Sequence, residues 1–123
     1  MLNFNSLIIF SENPKPLSEF YKKVFQSDPV WDGDGYTSFK VGDGMITVGP
    51  HSEVHGESKN PERMMFFLET KDVKGEFERI KELGTKVIKE PYHADEDPDG
   101  EGQIATFADP DNNYFQLASP MKP

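Results

Sequence analysis

The stretch that decides the fold is FADPDNNYFQLASP, residues 107–120. An apolar run enters the sequence Asp-Pro-Asp-Asn-Asn, and a second apolar run leaves it. Pro110 fixes its own φ, and Asp and Asn tolerate the left-handed conformation, so the stretch predicts two strands joined by a tight turn. Gln116 places a polar amide between Phe115 and Leu117 in the second strand. That position calls for an explanation other than packing.

An earlier part of the chain has the same pattern. SFKVGDGMITVGP, residues 38–50, matches TFADPDNNYFQLASP, residues 106–120, which has a turn two residues longer. SEFYKKVF, residues 18–25, likewise matches GEFERIKELG, residues 75–84. Because both matches occur in the same order, the sequence predicts an internal duplication.

The first half is predicted to contain one strand, one helix and three strands. Residues 2–11 are rich in Leu, Ile and Phe and predict a strand. Asn13 predicts a helix N-cap, and Pro14 suits the first helical position. The residues at i, i+3, i+4 and i+7 predict the buried face of this helix, namely Leu17, Phe20, Tyr21 and Val24. The three following strands are predicted at residues 30–31, 36–41 and 45–49.

The second half repeats this order. Residues 63–70 predict a strand, Asp72 predicts a helix N-cap, and Gly84 predicts the left-handed residue that ends the helix. The buried side of the helix is predicted to consist of Val73, Phe77, Ile80 and Leu83. The closing strands are predicted at residues 85–91, 102–109 and 113–119.

The predicted fold class is therefore α+β, with two βαβββ repeats whose strands form a curved mixed sheet. A length of 123 residues suits a single domain. Repeat one is predicted at about residues 1–50, a polar linker at 51–63, and repeat two at about 64–120. With one helix on the outer face of each repeat, the inner faces are expected to form a cup.

The period of two along a strand predicts which residues face this cup. They are Ser6, Ile8, Thr47, Met65, Phe67, Glu69, Tyr114 and Gln116. A mainly apolar wall with a few polar groups is typical of a pocket for a small organic molecule. Ser6 and Thr47 are common strand residues whose hydroxyls are expected to be satisfied by backbone or water. Gln116 and Glu69 together favour a functional role, because a carboxylate next to apolar residues needs a reason to be there.

Composition excludes several classes of function. The net charge of −9 repels nucleic acid phosphates, and the absence of Cys excludes disulfides and thiolate chemistry. No apolar run is long enough to span a bilayer, and the first residues lack the pattern of a signal peptide, so a soluble cytoplasmic protein is expected. The acidic balance suits a cationic small molecule rather than nucleic acid or a membrane.

The duplicated βαβββ order, the Phe20-Tyr21 pair and the Asp-Pro-Asp-Asn-Asn turn resemble the vicinal oxygen chelate superfamily. This superfamily is also called the glyoxalase/bleomycin resistance/extradiol dioxygenase fold, and the resemblance covers essentially the whole chain. It implies a homodimer whose pockets lie at or near the subunit junction. Whether one chain closes the cup or two chains exchange strands is left open.

The resemblance also implies where a metal ion belongs. Metal-using members hold one divalent ion with His and Glu or Gln on the inner strands, and these positions correspond here to Ser6, Thr47, Met65 and Gln116. Hydroxyl, thioether and neutral amide groups are poor ligands for Zn, Ni, Mn or Fe(II). No strand-bound metal and no cofactor are therefore expected, and glyoxalase I and dioxygenase activities are disfavoured.

Three hypotheses of function follow. The first is a metal-independent protein that binds a cationic or aromatic small molecule and sequesters an antibiotic or another toxic compound. The alternative is a lyase, isomerase or dioxygenase-type enzyme with a non-standard metal or acid/base site, in which Glu69 or His93 acts as general base. The third is an interaction module whose cup receives a side chain of a partner protein.

Two loops offer weaker metal-binding patterns. His51 and His55 lie four residues apart, but the segment lacks helical periodicity, so a shared metal is not predicted. Residues 95–106 imitate a calcium loop, yet Thr106 stands where a bidentate Glu belongs. A solvated acidic loop is the expected state of residues 95–101, with calcium binding as the alternative.

Overall fold

The computed structural model describes residues 1–93 and 102–120. The chain divides into two compact units, Met1–Gly56 and Glu57–Pro123. The division falls inside segment 51–63, which is polar and carries Gly and Pro. Neither helix of the described part is long or apolar enough to cross a membrane.

The first unit contains β1 (Ser6–Ser11), α1 (Pro14–Phe25), β2 (Trp31–Gly33), β3 (Tyr36–Val41) and β4 (Gly44–Pro50). Its sheet has the strand order β1-β4-β3-β2. The β1–β4 pair is parallel, and the β3–β4 and β2–β3 pairs are antiparallel.

The second unit contains β5 (Phe66–Glu69), α2 (Val73–Glu82), β6 (Lys86–His93), β7 (Gln103–Ala108) and β8 (Tyr114–Ala118). Its strand order, β5-β8-β7-β6, is that of the first unit, and β5 is again parallel to its partner β8. The other two pairs are antiparallel. The structure thus confirms the α+β class and the two βαβββ repeats.

Helix α1 begins as predicted but is capped differently. Pro14 occupies the start of the helix, yet the Asn13 side chain makes no capping hydrogen bond. Instead the Asn13 backbone N–H donates to Ser11 Oγ at 2.9 Å. The helix ends at Phe25, and its C-cap Gln26 has a left-handed φ of 52° and donates its N–H to the Lys22 carbonyl. A Gln performs the chain reversal that Gly84 performs after α2, where φ is 90°.

The core of the first unit lies between α1 and one face of its sheet. Leu17, Tyr21 and Val24 of the helix are buried, and Phe20 is half-buried. The helix packs on β1, β3 and β4, whose buried residues on this side are Ile9, Phe39, Ile46 and Val48. Each such buried side chain contributes about 1.5–3 kcal/mol to folding.

The core of the second unit is a stack of aromatic rings. Phe77 of α2 lies against Phe107 at 5.1 Å between ring centroids, and Phe107 lies against Phe115 at 5.7 Å. Phe66 stacks on the other side of Phe115, also at 5.7 Å. Leu83, predicted to join this core, is instead 42% exposed, because α2 ends at Glu82 and Leu83 follows as the C-cap.

The Asp-Pro-Asp-Asn-Asn turn between β7 and β8 is organised by a buried carboxylate. Asp109 Oδ1 accepts the backbone N–H groups of Asp111 and Asn113, each at 2.9 Å. Asp109 Oδ2 accepts from Asn113 Nδ2 at 3.0 Å. Asn112 has a φ of 63° and donates from Nδ2 to the Ser58 carbonyl, so the turn also fixes the segment that precedes β5.

A second hairpin turn was not among the sequence predictions. Asp34 and Gly35 join β2 to β3 with φ values of 53° and 86°. Two consecutive residues with positive φ form the type of turn that matches the twist of a two-residue hairpin. The Asp-Gly dipeptide is a strong signal for this turn.

Candidate functional site

Each sheet has one face covered by its helix and one face turned away from it. We call the latter the first open face in the first unit and the second open face in the second unit. Because side chains alternate along a strand, the neighbours of the buried core residues belong to the open faces. Of the residues predicted to line the cup, Ser6, Ile8 and Thr47 lie on the first open face, and Phe67, Glu69, Tyr114 and Gln116 lie on the second. Met65 precedes β5, which begins at Phe66, so alternation along the strand does not assign it a face.

One residue from each strand forms a row across the first open face. Ile8 pairs with Thr47, Thr47 with Ser38, and Ser38 with Trp31. The hydroxyls of Ser38 and Thr47 share a hydrogen bond of 2.8 Å. Ile8 and Trp31, at the two ends of the row, remain 48% and 53% exposed. The row therefore has a satisfied polar centre and two large apolar ends.

A close approach of a ring to the backbone shapes the same face. The ring of Tyr36 lies directly over Gly49, and a Cβ at Gly49 would collide with it. Trp31 lies over Gly33 in a similar way, since a Cβ there would meet the indole at 3.1 Å. These glycines allow two aromatic rings to lie against the sheet.

The second open face has an equivalent row. Phe67 pairs with Gln116, Gln116 with Thr106, and Thr106 with Lys89. Gln116 Nε2 donates to Thr106 Oγ1 at 2.9 Å, and Phe67 is 57% exposed. The amide of Gln116 is thus bonded to the next strand through its nitrogen, while its oxygen has no partner within residues 1–93 and 102–120.

The two polar pairs occupy matching positions of the repeat. By strand register Ser38 corresponds to Thr106 and Thr47 to Gln116, because Ser38 pairs with Thr47 in the first unit and Thr106 pairs with Gln116 in the second. In both units the pair bridges the two antiparallel strands at the middle of the open face. The hydrogen bond between these side chains is therefore a feature of the duplicated unit.

Sequence reasoning missed several residues of the open faces. They are Trp31, Tyr36, Ser38, Lys89, Tyr92 and Thr106. Alternation in β3 and β7 was the available signal for Ser38 and Thr106, since each precedes a buried Phe. The face on which Lys89 lies could not be predicted from alternation, because the pairing register shifts on both sides of it along β6.

The two candidate general bases lie at opposite edges of the second sheet. Glu69 ends β5, His93 ends β6, and β8 and β7 separate them. Three strand spacings correspond to about 14 Å. His93 pairs with Gln103. Gln103 lies two residues before the helix-facing Ala105 on the same strand and therefore on the same face of the sheet. The Nδ1 atom of His93 lies 3.0 Å from the Gly102 carbonyl oxygen. The structure does not bring Glu69 and His93 together.

The residues at the four positions implied for a metal do not fit a divalent ion. Thr47 and Gln116 are engaged with neighbouring side chains, Ser6 offers a neutral hydroxyl, and Met65 offers a thioether. Across the described part of the chain, no group of three or more His, Cys, Asp or Glu residues is arranged to hold a metal. Oxygen anions and imidazoles, which such ions prefer, are missing from this set.

The loop histidines have other contacts. His51 lies edge-on to Phe10, with ring centroids 5.0 Å apart, and its Nδ1 accepts the Glu53 N–H. His55 Nδ1 lies 3.6 Å from Glu12 Oε1. The acidic loop 95–101, considered for calcium, lies outside the described residues.

Comparison with known proteins places these features in a family. The family model described as Glyoxalase/Bleomycin resistance protein/Dioxygenase superfamily matches residues 3–117. None of the curated proteins matches the chain.

Solved structures share the fold at low sequence identity. A glyoxalase-related enzyme from Fulvimarina pelagi is 14% identical with a TM-score of 0.77, over 98% of this chain and 89% of that one. Lactoylglutathione lyase from Agrobacterium tumefaciens is 17% identical with a TM-score of 0.73, over 97% and 94%. Fosfomycin resistance protein FosX from Listeria monocytogenes is 21% identical with a TM-score of 0.67, over 98% and 93%.

Proposed function

Since the chain belongs to the glyoxalase/bleomycin resistance protein/dioxygenase superfamily, we propose that it binds a small organic molecule on its open faces without a strand-bound metal ion. One observation carries this proposal. At each open face, large apolar side chains remain about half exposed beside a hydrogen-bonded polar pair. Such a surface suits an organic ligand better than it suits a metal ion.

The exposed apolar residues supply the driving force for binding. Ile8, Trp31 and Phe67 keep much of their surface in water, and covering apolar surface gains about 25 cal/mol per Å². Trp31 and Tyr36 add flat aromatic surface on which a planar ligand stacks. An aromatic or cationic molecule suits both these rings and the net charge of −9.

We further propose that binding serves to sequester an antibiotic or another toxic compound. The support is the family itself, whose name includes bleomycin resistance, and the similarity in fold to a fosfomycin resistance protein. Sequestration requires no catalytic group, in keeping with the separation of Glu69 and His93 on opposite strands of their sheet.

The protein is also proposed to act as a homodimer. Leu2 and Phe4 are fully or almost fully exposed in the segment before β1. Strand β1 is an edge strand, paired only with β4 in the described part of the sheet. Exposed apolar residues beside a free strand edge favour association with another chain.

The test combines two measurements on the purified protein. Trp31 is the only Trp, so its emission reports directly on the first open face. A panel containing bleomycin, fosfomycin and other cationic or aromatic compounds is screened for a change in this emission and for thermal stabilisation. A ligand at 100 times its dissociation constant adds about 2.7 kcal/mol to the free energy of unfolding. That corresponds to several degrees in Tm for a domain of this size.

Variants separate the open faces from the rest of the surface. Phe67→Ser and Ile8→Ser are expected to weaken binding of a compound found in the screen. Leu83→Ser is the matched control, because Leu83 is similarly exposed but caps the end of α2. If no compound in the panel changes emission or Tm, or if only Leu83→Ser weakens binding, the proposal is wrong.

A further inference from the structure

A second row of residues crosses the second open face. Glu69 pairs with Ala118, Ala118 with Ile104, and Ile104 with Tyr92. Lys89 extends its ammonium group over the Tyr92 ring, with Nζ 4.7 Å from the ring centroid. The row therefore has a carboxylate at the β5 edge, an ammonium at the β6 edge, and apolar residues between them.

The two charged residues lie on opposite edge strands and form no ion pair with each other. Strands β5 and β6 are the two edges of the sheet, and three strand spacings amount to about 14 Å. Within residues 1–93 and 102–120, neither Glu69 nor Lys89 takes part in an ion pair. Each charged group is exposed and free to meet a charge on a ligand.

The position of Lys89 is defined rather than arbitrary. Its pairing with Thr106 places it on the open face, and the cation–π contact with Tyr92 holds its Nζ in the row of Glu69. Ala118 lies between Glu69 and Ile104 in this row, and its small side chain leaves room above the sheet for a ligand next to Glu69. Gln116 lies in the row next to this strip. Its amide oxygen, which has no hydrogen-bond partner within residues 1–93 and 102–120, can accept from a donor group on the body of a ligand.

We propose that the second open face recognises a dipolar molecule, with a cationic amine at one end, a carboxylate at the other, and an apolar stretch between them. The amine meets Glu69, the carboxylate meets Lys89, and the apolar stretch lies on Ala118 and Ile104. This inference rests on the proposed function, because it assumes that the open face binds a ligand. It adds a chemical class and an orientation, which neither the family nor the apolar residues specify.

Nuclear magnetic resonance of the isotope-labelled 123-residue chain tests the inference with defined probes. Titrations with ω-aminooctanoate, octanoate and octylamine are followed through the backbone amide shifts of β5 to β8. The dipolar probe is expected to bind more tightly than either singly charged probe. Each exposed ionic contact is expected to change the dissociation constant by about two- to fivefold.

Charge reversal distinguishes a defined pair from general electrostatics. Glu69→Lys and Lys89→Glu are each expected to weaken binding of ω-aminooctanoate by about two- to fivefold. The double variant is expected to restore most of the affinity, because the probe then binds in the opposite direction. Glu82→Lys and Lys74→Glu on α2 change the net charge equally and serve as controls.

The outcomes separate this inference from the proposed function. If all three probes shift the same amides with equal affinity, the face binds apolar molecules and the dipolar inference is wrong. The same conclusion holds if ω-aminooctanoate fails to bind while compounds of the antibiotic panel bind, or if the double variant binds no better than the single variants. If neither the probes nor the panel bind, both proposals are wrong.

Discussion

Replacing Asp109 by Ala is expected to destabilise the second unit by about 2–4 kcal/mol. The carboxylate is buried and accepts the backbone N–H groups of Asp111 and Asn113 as well as the Asn113 side-chain amide. A hydrogen bond to a charged group contributes about 1.5–3 kcal/mol. Because these bonds share one carboxylate they are not additive, which keeps the expected loss below their sum.

A more conservative change makes the prediction sharper. Asp109→Asn keeps an oxygen that can accept both backbone N–H groups but loses the charge and the second acceptor. Its expected cost is therefore smaller, about 1–2 kcal/mol. Asp43→Ala is the matched control, because Asp43 is exposed in the corresponding turn of the first repeat and has no side-chain hydrogen bond within the described residues.

Urea denaturation followed by circular dichroism measures these differences. The expected order of destabilisation is Asp109→Ala, then Asp109→Asn, then Asp43→Ala, with the last within about 0.5 kcal/mol of the parent protein. Equal stability of Asp109→Ala and Asp43→Ala would refute the structural role assigned to the turn. A loss for Asp109→Asn as large as that for Asp109→Ala would show that the charge, rather than the geometry of the acceptors, stabilises the turn.

Three further changes test other parts of the structure. Gly49→Ala forces a methyl group into the ring of Tyr36 and is expected to lower the free energy of unfolding by about 1–3 kcal/mol. Thermal denaturation measures this loss, and an unchanged Tm would contradict the close approach of the ring to Gly49. Gln116→Leu removes the bond to Thr106 and is expected to cost about 1 kcal/mol and to weaken ligand binding, whereas unaltered binding would remove Gln116 from the site. Phe4→Ser is expected to raise the dimer dissociation constant in sedimentation equilibrium, and an unchanged constant would exclude the segment before β1 from the interface.

Much of the fold was predictable because local chemistry and the repeat agree. Asp72 caps α2 as predicted, through a 3.0 Å bond from the Gly75 N–H to its Oδ1, and Gly84 adopts the positive φ expected of it. Both assignments depend on residues close in sequence. Leu83 shows the limit of such reasoning, since its position one turn after Ile80 predicts burial, but the helix ends one residue earlier.

The site was less predictable because its contacts join different strands. Alternation identified Gln116 as a residue of the open face, but its partner Thr106 depends on the register of β7 with β8. That register follows from the conformation of the turn, in which Asn112 adopts a positive φ. Lys89 depends on irregular pairing along β6, which no period of two describes.

The parallel pair in each unit joins its first strand to its last. Ser6 pairs with Met45 and Phe66 with Phe115, so each pairing closes a loop of about 40–50 residues. The chain loses the entropy of this loop before the contacts between the two strands can stabilise the pair. During synthesis β1 leaves the ribosome before β4 exists, and its backbone groups bond to water until then. The strand that pairs late is β1, which carries Ile8, in the first repeat, and β5, which carries Phe67 and Glu69, in the second. The edge strand that carries the exposed Ile8 or Phe67 is therefore the last part of its sheet to be paired.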